Sequence, residues 1–275
     1  MTHWAEVPSF GCFIYFEREP VEAAGLLIEA LVTDLGLGGD VKMATKGRWR
    51  GLDRKAVNAA IASPATRAIS LLVGTPLDVR LGGWIELHLP PPIGEIARES
   101  TVPPLGWFAA ESQRWPEATF VVAARRWLQL AAKHAAPISG GVLAAADLRN
   151  AKVEIAQEFE TYPGEVPDRS PTSFRGRMEQ EPPDYHLKTK LRRVYPITLL
   201  GPRLASQVDV GALQDAGATN VESINGSIIF DSTRSLIEAW SPEFLATTTA
   251  LRRLLWPLST QNPVDDPDAK PKRRR

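Results

Sequence analysis

The chain has 275 residues, 44% apolar and 23% charged, enough for one large domain or two small ones around a substantial core. Its formal charge is zero, but the last six residues hold five cations (Lys270, Lys272, Arg273, Arg274, Arg275), so the remainder carries a net charge of −5. A mildly acidic body argues against a nucleic-acid binder. No apolar run approaches the roughly 18 residues that a membrane span requires.

Cys12 is the sole cysteine, so no internal disulfide can form. The opening Met1-Thr2-His3-Trp4 lacks the basic start and apolar run of an export signal, which makes the cytoplasm the expected location.

Gly11–Phe16 (Gly-Cys-Phe-Ile-Tyr-Phe) is short, aromatic and β-prone, and reads as a strand. Pro20 then opens a helix whose Val21, Ala24, Leu27, Ile28, Leu31, Val32 and Leu35 share one face at helical spacing. The glycines of Gly36-Leu37-Gly38-Gly39 read as a helix stop rather than a dinucleotide loop, because they follow a helix instead of a strand. Lys46–Gly51 reads as a basic loop, and a second helix starts near Asp53.

Gly82–Leu89 reads as a strand stopped by Pro90-Pro91-Pro92, since proline cannot donate to a ladder. A long helix follows from Pro116 to His134, and Ser139–Ala144 reads as either a strand or a turn. Residues 161–186 are rich in proline, charge and turn formers, which marks a long loop or a lobe boundary.

Val194–Leu200 reads as a buried strand. Asn225-Gly226 between β-prone runs predicts a hairpin pairing Asn220–Ile224 with Ser227–Phe230, because both turn residues tolerate positive φ. Ser241-Pro242 reads as the start of a helix reaching Trp256. The globular part spans residues 1–260, and residues 261–275 form a basic tail with the composition of a disordered segment.

Short catalytic signatures do not occur: the sequence has no HExxH, no paired cysteines, no GxxxxGK[ST] and no GxSxG. We therefore expect no catalytic residues, no metal site and no cofactor. Glu86 and His88 alternate onto one face of a strand, which fits an exposed polar face better than an acid–base pair. Glu154, Glu158 and Glu160 form an acidic group that fits a solvated or partner-facing role. Between Asn150 and His186 there are eight acidic and four basic side chains, a net of −4. Within that stretch Glu158, Glu160, Glu165 and Asp168 supply charge, and Tyr162 and Phe174 supply apolar anchors, so these six are the expected partner-binding residues. If the acidic stretch is not the interface, the surfaces around Trp49, Trp107 and Trp115 are the next candidates.

The order of several segments resembles that of the bacterial type VI secretion immunity family. The segments are Phe13–Phe16, Trp84–Pro90, His134 with Gly140-Gly141, Tyr162-Pro163-Gly164, Val194–Gly201 and Gly226–Ile229, spread over about residues 10–258. The resemblance implies an antitoxin that binds a cognate secreted effector toxin, with nucleases among the candidate toxins, and occludes it stoichiometrically. It implies no enzyme activity. The acidic body and the lack of a long apolar run lead us to expect no nucleic-acid or membrane partner, and we expect a monomer or weak homodimer. An adaptor that loads effectors onto a secretion machine, or an enzyme with an unrecognised site, remains as an alternative. The expected fold is α+β, a mostly antiparallel sheet with packed helices, with two lobes meeting near residues 161–190 left open.

Overall fold

In the computed structural model the described residues are 8–18, 20–36, 41–44, 49–51, 53–63, 68–73, 83–88, 105–113, 115–145, 189–237, 248–261 and 266–268. They form an α+β fold built on one antiparallel sheet, as the apolar runs and the hairpin signal predict.

Ten strands are described: β1 (Ser9–Phe16), β2 (Val41–Ala44), β3 (Trp49–Gly51), β4 (Ala68–Val73), β5 (Gly83–His88), β6 (Leu105–Glu111), β7 (Pro137–Ala145), β8 (Ile197–Leu200), β9 (Thr219–Ile224) and β10 (Ser227–Asp231). Their order across the sheet is β3-β2-β4-β5-β6-β1-β7-β8-β10-β9. Each neighbouring pair is antiparallel.

The aromatic run at the start of the chain lies in the middle of the sheet for a physical reason. A strand buried on both faces cannot alternate apolar with polar, so it reads as continuous hydrophobicity. Along β1, Phe10, Cys12, Ile14 and Phe16 enter one core layer, and Phe13 and Tyr15 enter the other. Phe108 and Trp107 of β6 divide in the same way.

The first layer lies under α1 (Val21–Asp34), α2 (Arg54–Ala62) and α3 (Glu117–His134). Within it Phe108 lies edge-on to Trp127, with centroids 5.3 Å apart at 88°. Trp127 Nε1 donates to Leu27 O at 3.2 Å and Trp115 Nε1 to Leu35 O at 3.1 Å, so both buried indoles link α1 to α3 or its approach. Helix α1 ends where the glycine signal placed its stop, since Gly36 follows the C-cap with φ +60°. Pro20 is the N-cap of α1 rather than its first helical residue, and Asp53 caps α2 by accepting from Lys55 N at 2.9 Å.

The second layer is covered by the segment leading into β8, by the short helices Pro202–Ala205 and Val210–Asp215, and by the helix Thr249–Leu255. Tyr195 is its keystone. Its ring stands edge-on to Phe13, with centroids 4.9 Å apart at 75°, over Gly141, where an added Cβ would lie 2.6 Å from the ring. The stretch 258–260 closes this layer: Leu191 N donates to Leu258 O at 2.8 Å and Thr260 N to Leu191 O at 2.9 Å, around a parallel bridge between Leu191 and Ser259.

Three readings change. Trp49–Gly51 of the expected basic loop is strand β3, because pairing with β2 supplies order that the short Trp-Arg-Gly segment does not reveal by itself. Ser139–Ala144, left open between strand and turn, lies within β7. The strand expected from Val194 begins at Ile197. Thr198 Oγ1 accepts from Tyr195 N at 2.9 Å and donates to Tyr195 O at 3.0 Å, which curls the chain just before it, and Pro196 has no N–H for a ladder. The helix start expected at Ser241-Pro242 and most of the proposed lobe boundary at 161–190 lie outside the described residues. The helix Thr249–Leu255 and a 3-10 turn at Trp256–Leu258 occupy the expected end of that helix.

Cys12 is fully buried in the first layer, and burial pushes its thiol well above its ordinary range. A thiol reagent added to native protein should therefore modify Cys12 only at the rate of opening of the fold, and fully once denaturant unfolds it. Rapid stoichiometric labelling without denaturant would contradict this packing.

Candidate functional site

The six expected partner-binding residues, Glu158, Glu160, Tyr162, Glu165, Asp168 and Phe174, lie outside the described residues, as does Glu154. Glu86 and His88 are both on β5, with backbones opposite Ser70 and Ala68 of β4. Of the tryptophans offered as alternative surfaces, Trp107 and Trp115 are buried and serve the core instead, while Trp49 is in β3.

The most developed polar cluster among the described residues joins α3 to the β9–β10 hairpin. Its local cause is legible: Arg125, Gln129 and Lys133 recur every four residues and so share one stripe of the helix. The turn Asn225-Gly226 has both φ values positive, 47° and 78°, which folds β9 back on β10 and presents the hairpin to that stripe.

Arg125 Nη1 donates to Glu222 Oε1 at 2.5 Å, and its Nη2 donates to Asp231 Oδ1. Gln129 Nε2 donates to Glu222 Oε2 at 2.6 Å, Asn220 Nδ2 to Asp231 Oδ2 at 2.7 Å, and Asn225 Nδ2 to Lys133 O at 2.9 Å. At its other end α3 holds the chain beyond β10, because Glu117 accepts from Leu236 N at 2.5 Å and Ser235 Oγ at 3.1 Å.

Each carboxylate oxygen of Glu222 and Asp231 thus accepts from a donor within the protein. The side chains of Arg125 and Asp231 are only 17% and 12% exposed, so the pair is largely desolvated. Burial pushes the Asp231 carboxyl above its ordinary range, while the Asn220 hydrogen bond and the Arg125 charge pull it partly back. A catalytic acid or base needs an atom free to meet a substrate. The observed hydrogen bonds instead make this cluster a clamp between a helix and the end of the sheet.

Sequence reading missed the clamp because Arg125 is 106 residues from Asp231 and 97 from Glu222. Its only local traces are the four-residue spacing along α3 and the hairpin turn. Among the described residues, no group of three or more His, Cys, Asp or Glu side chains is placed to hold a metal ion. No helix among them is long and apolar enough to cross a membrane.

No protein-family model and no curated protein sequence matches the chain. Its fold is similar to that of a solved structure, the Pseudomonas aeruginosa T6SS protein PA0821, at a TM-score of 0.60 and 11% sequence identity, over 92% of this chain and 73% of that chain.

Proposed function

We propose that this chain is a type VI secretion immunity protein, one that binds a cognate effector toxin and neutralises it by occlusion in the cytoplasm. The observation that carries the proposal is the likeness to the Pseudomonas T6SS protein, which extends over 92% of the chain and therefore involves the whole architecture rather than one common motif. The segment order described above points the same way. In this reading the protein acts by presenting a surface and not by catalysis.

The acidic stretch from Glu154 to Asp184 is the proposed toxin-facing surface. A nuclease toxin must offer basic groups to phosphates, and an acidic inhibitor surface complements them and accelerates encounter. Reversing Glu158, Glu160, Glu165 and Asp168 together to lysine should slow association with the toxin by roughly tenfold or more and reduce its salt dependence. Unchanged association kinetics in a variant with a normal melting curve would remove this stretch from the interface.

The proposal itself is tested by co-expression with the product of the adjacent gene. Rescue of growth together with co-purification is the expected result. Co-purification with a secretion spike or tip component, without rescue from any toxin, would replace immunity with effector loading.

A further inference from the structure

Of the five asparagines, Asn58, Asn150, Asn220, Asn225 and Asn262, only Asn225 is followed by glycine. That pair is the turn between β9 and β10, and both of its residues are exposed. Ile224 and Ser227 form the closing pair, so Asn225 and Gly226 lie outside the ladder. The backbone nitrogen after an asparagine can attack that residue's side-chain amide carbon and close a succinimide ring. Glycine obstructs this least, because it carries no Cβ.

A fixed turn blocks ring closure unless ψ of the asparagine can change. This hairpin leaves a route. With φ of +47° at Asn225 and +78° at Gly226, the turn has the two positive values of type I′. Flipping the one peptide between them gives type II′, which keeps φ of Asn225 positive and swings its ψ to about −120°. That swing brings Gly226 N onto Asn225 Cγ. Gly226 accepts the accompanying change in the sign of its φ, and both turn types leave the strands paired.

One hydrogen bond holds the amide in place: Asn225 Nδ2 donates to Lys133 O at 2.9 Å. This carbonyl is in the last turn of α3 and cannot take an N–H from the residue four places on, because that residue is Pro137. The same amide is therefore the leaving group of the reaction and the donor that docks the turn on α3.

We propose that Asn225 is a self-modification site whose reaction releases the hairpin turn from α3. Gly226 N bonds to Asn225 Cγ, the Cγ–Nδ2 bond breaks, and ammonia leaves with the proton from Gly226 N. Water then adds across a ring C–N bond. Opening at Cγ gives aspartate, and opening at the main-chain carbonyl gives isoaspartate. Water is the only co-reactant, and nothing is oxidised or reduced. Either product has lost the donor to Lys133 O and gained a negative charge at the carbonyl end of α3, where the helix dipole disfavours it. Isoaspartate also lengthens the main chain inside a two-residue turn, which the closing pair does not accommodate. The reaction and its test are independent of the toxin and of the immunity reading.

The test incubates the full chain at mildly alkaline pH without urea, in low urea and in unfolding urea, beside Asn225→Gly. Peptide mass spectrometry follows the replacement of NH2 by OH at residue 225, and enzymatic methylation detects isoaspartate. The native protein should be modified at residue 225 more slowly than the unfolded chain by roughly tenfold, the scale of one hydrogen bond, and at a rate that stays flat across low urea. Asn225→Gly keeps a permissive turn but has no amide to cyclise, so its methylation should fall to background. The isoaspartate form, separated by its added charge, should melt lower than the parent and exchange the amides of residues 219–231 faster. The proposal is overturned if native modification is absent or tracks the unfolded fraction as urea rises. It is also overturned if Asn225→Gly is methylated as much as the parent, or if the isoaspartate form melts and exchanges like the parent.

Discussion

Replacing Gly201 with alanine should unfold the protein or cost it more than about 4 kcal/mol, the range reserved for severe steric or buried-polar defects. The cause is contact, not backbone freedom, because Gly201 has an ordinary φ of −69°. A Cβ at this position would lie 1.8 Å from Pro137 O and 2.7 Å from Ile138 O. Both are backbone atoms and cannot rotate aside. Gly201 N also donates to Ile138 O at 2.8 Å, so moving the chain away would break the bond that follows the β7–β8 ladder. The ladder is the seam joining the strands before residue 146 to those after residue 189, so the damage should appear as loss of one cooperative transition. A chemical denaturation curve checks this. A variant within 1 kcal/mol of wild type, on the order of a mild surface change, would show that the seam is looser than its geometry indicates.

The second large effect should follow Arg125→Met. Removing the guanidinium leaves Asp231 and Glu222 near each other with one shared cation gone, and breaking a largely buried pair in this way costs about 3 kcal/mol. The pH dependence gives a sharper signature than the magnitude. The Asp231 pKa is already raised by burial, and losing Arg125 removes a charge that holds it down. A carboxyl with a raised folded-state pKa favours folding in its protonated form, and that advantage is lost as pH rises through the raised value. The deficit of Arg125→Met relative to wild type should therefore be largest at neutral pH and shrink on acidification. A deficit that stayed constant down to the pH where wild type itself unfolds would show that Asp231 does not respond to this charge.

Local chemistry made several elements legible before the structure. The doubly apolar Gly-Cys-Phe-Ile-Tyr-Phe run, the helix from Pro116 and the Asn225-Gly226 turn each depend on residues close together in sequence, and each is present as β1, α3 and the β9–β10 hairpin. The shortest strands were not legible. A segment such as Trp49–Gly51 is ordered by its neighbour rather than by its own composition.

Pairing order was hidden for a related reason: β1 lies between β6 and β7, both far along the chain. The clamp was hidden too, since no rule of local spacing brings Arg125 to Asp231. Tryptophan content misled in a further way. Trp107 looks equally suited to an anchor or a core, and only the sheet's two covered faces assign it to the core.

The central position of β1 has a consequence for synthesis on the ribosome. Ser9–Phe16 is made before both of its neighbours, residues 105–111 and 137–145. The nascent chain must carry an apolar strand without its first flank until residues 105–111 are made, and without its second until residues 137–145 are. The strand order therefore sets a waiting period in which Phe10, Phe13, Ile14, Tyr15 and Phe16 are open to chaperones or to a neighbouring polysome, and that period closes only when Ala145 leaves the exit tunnel.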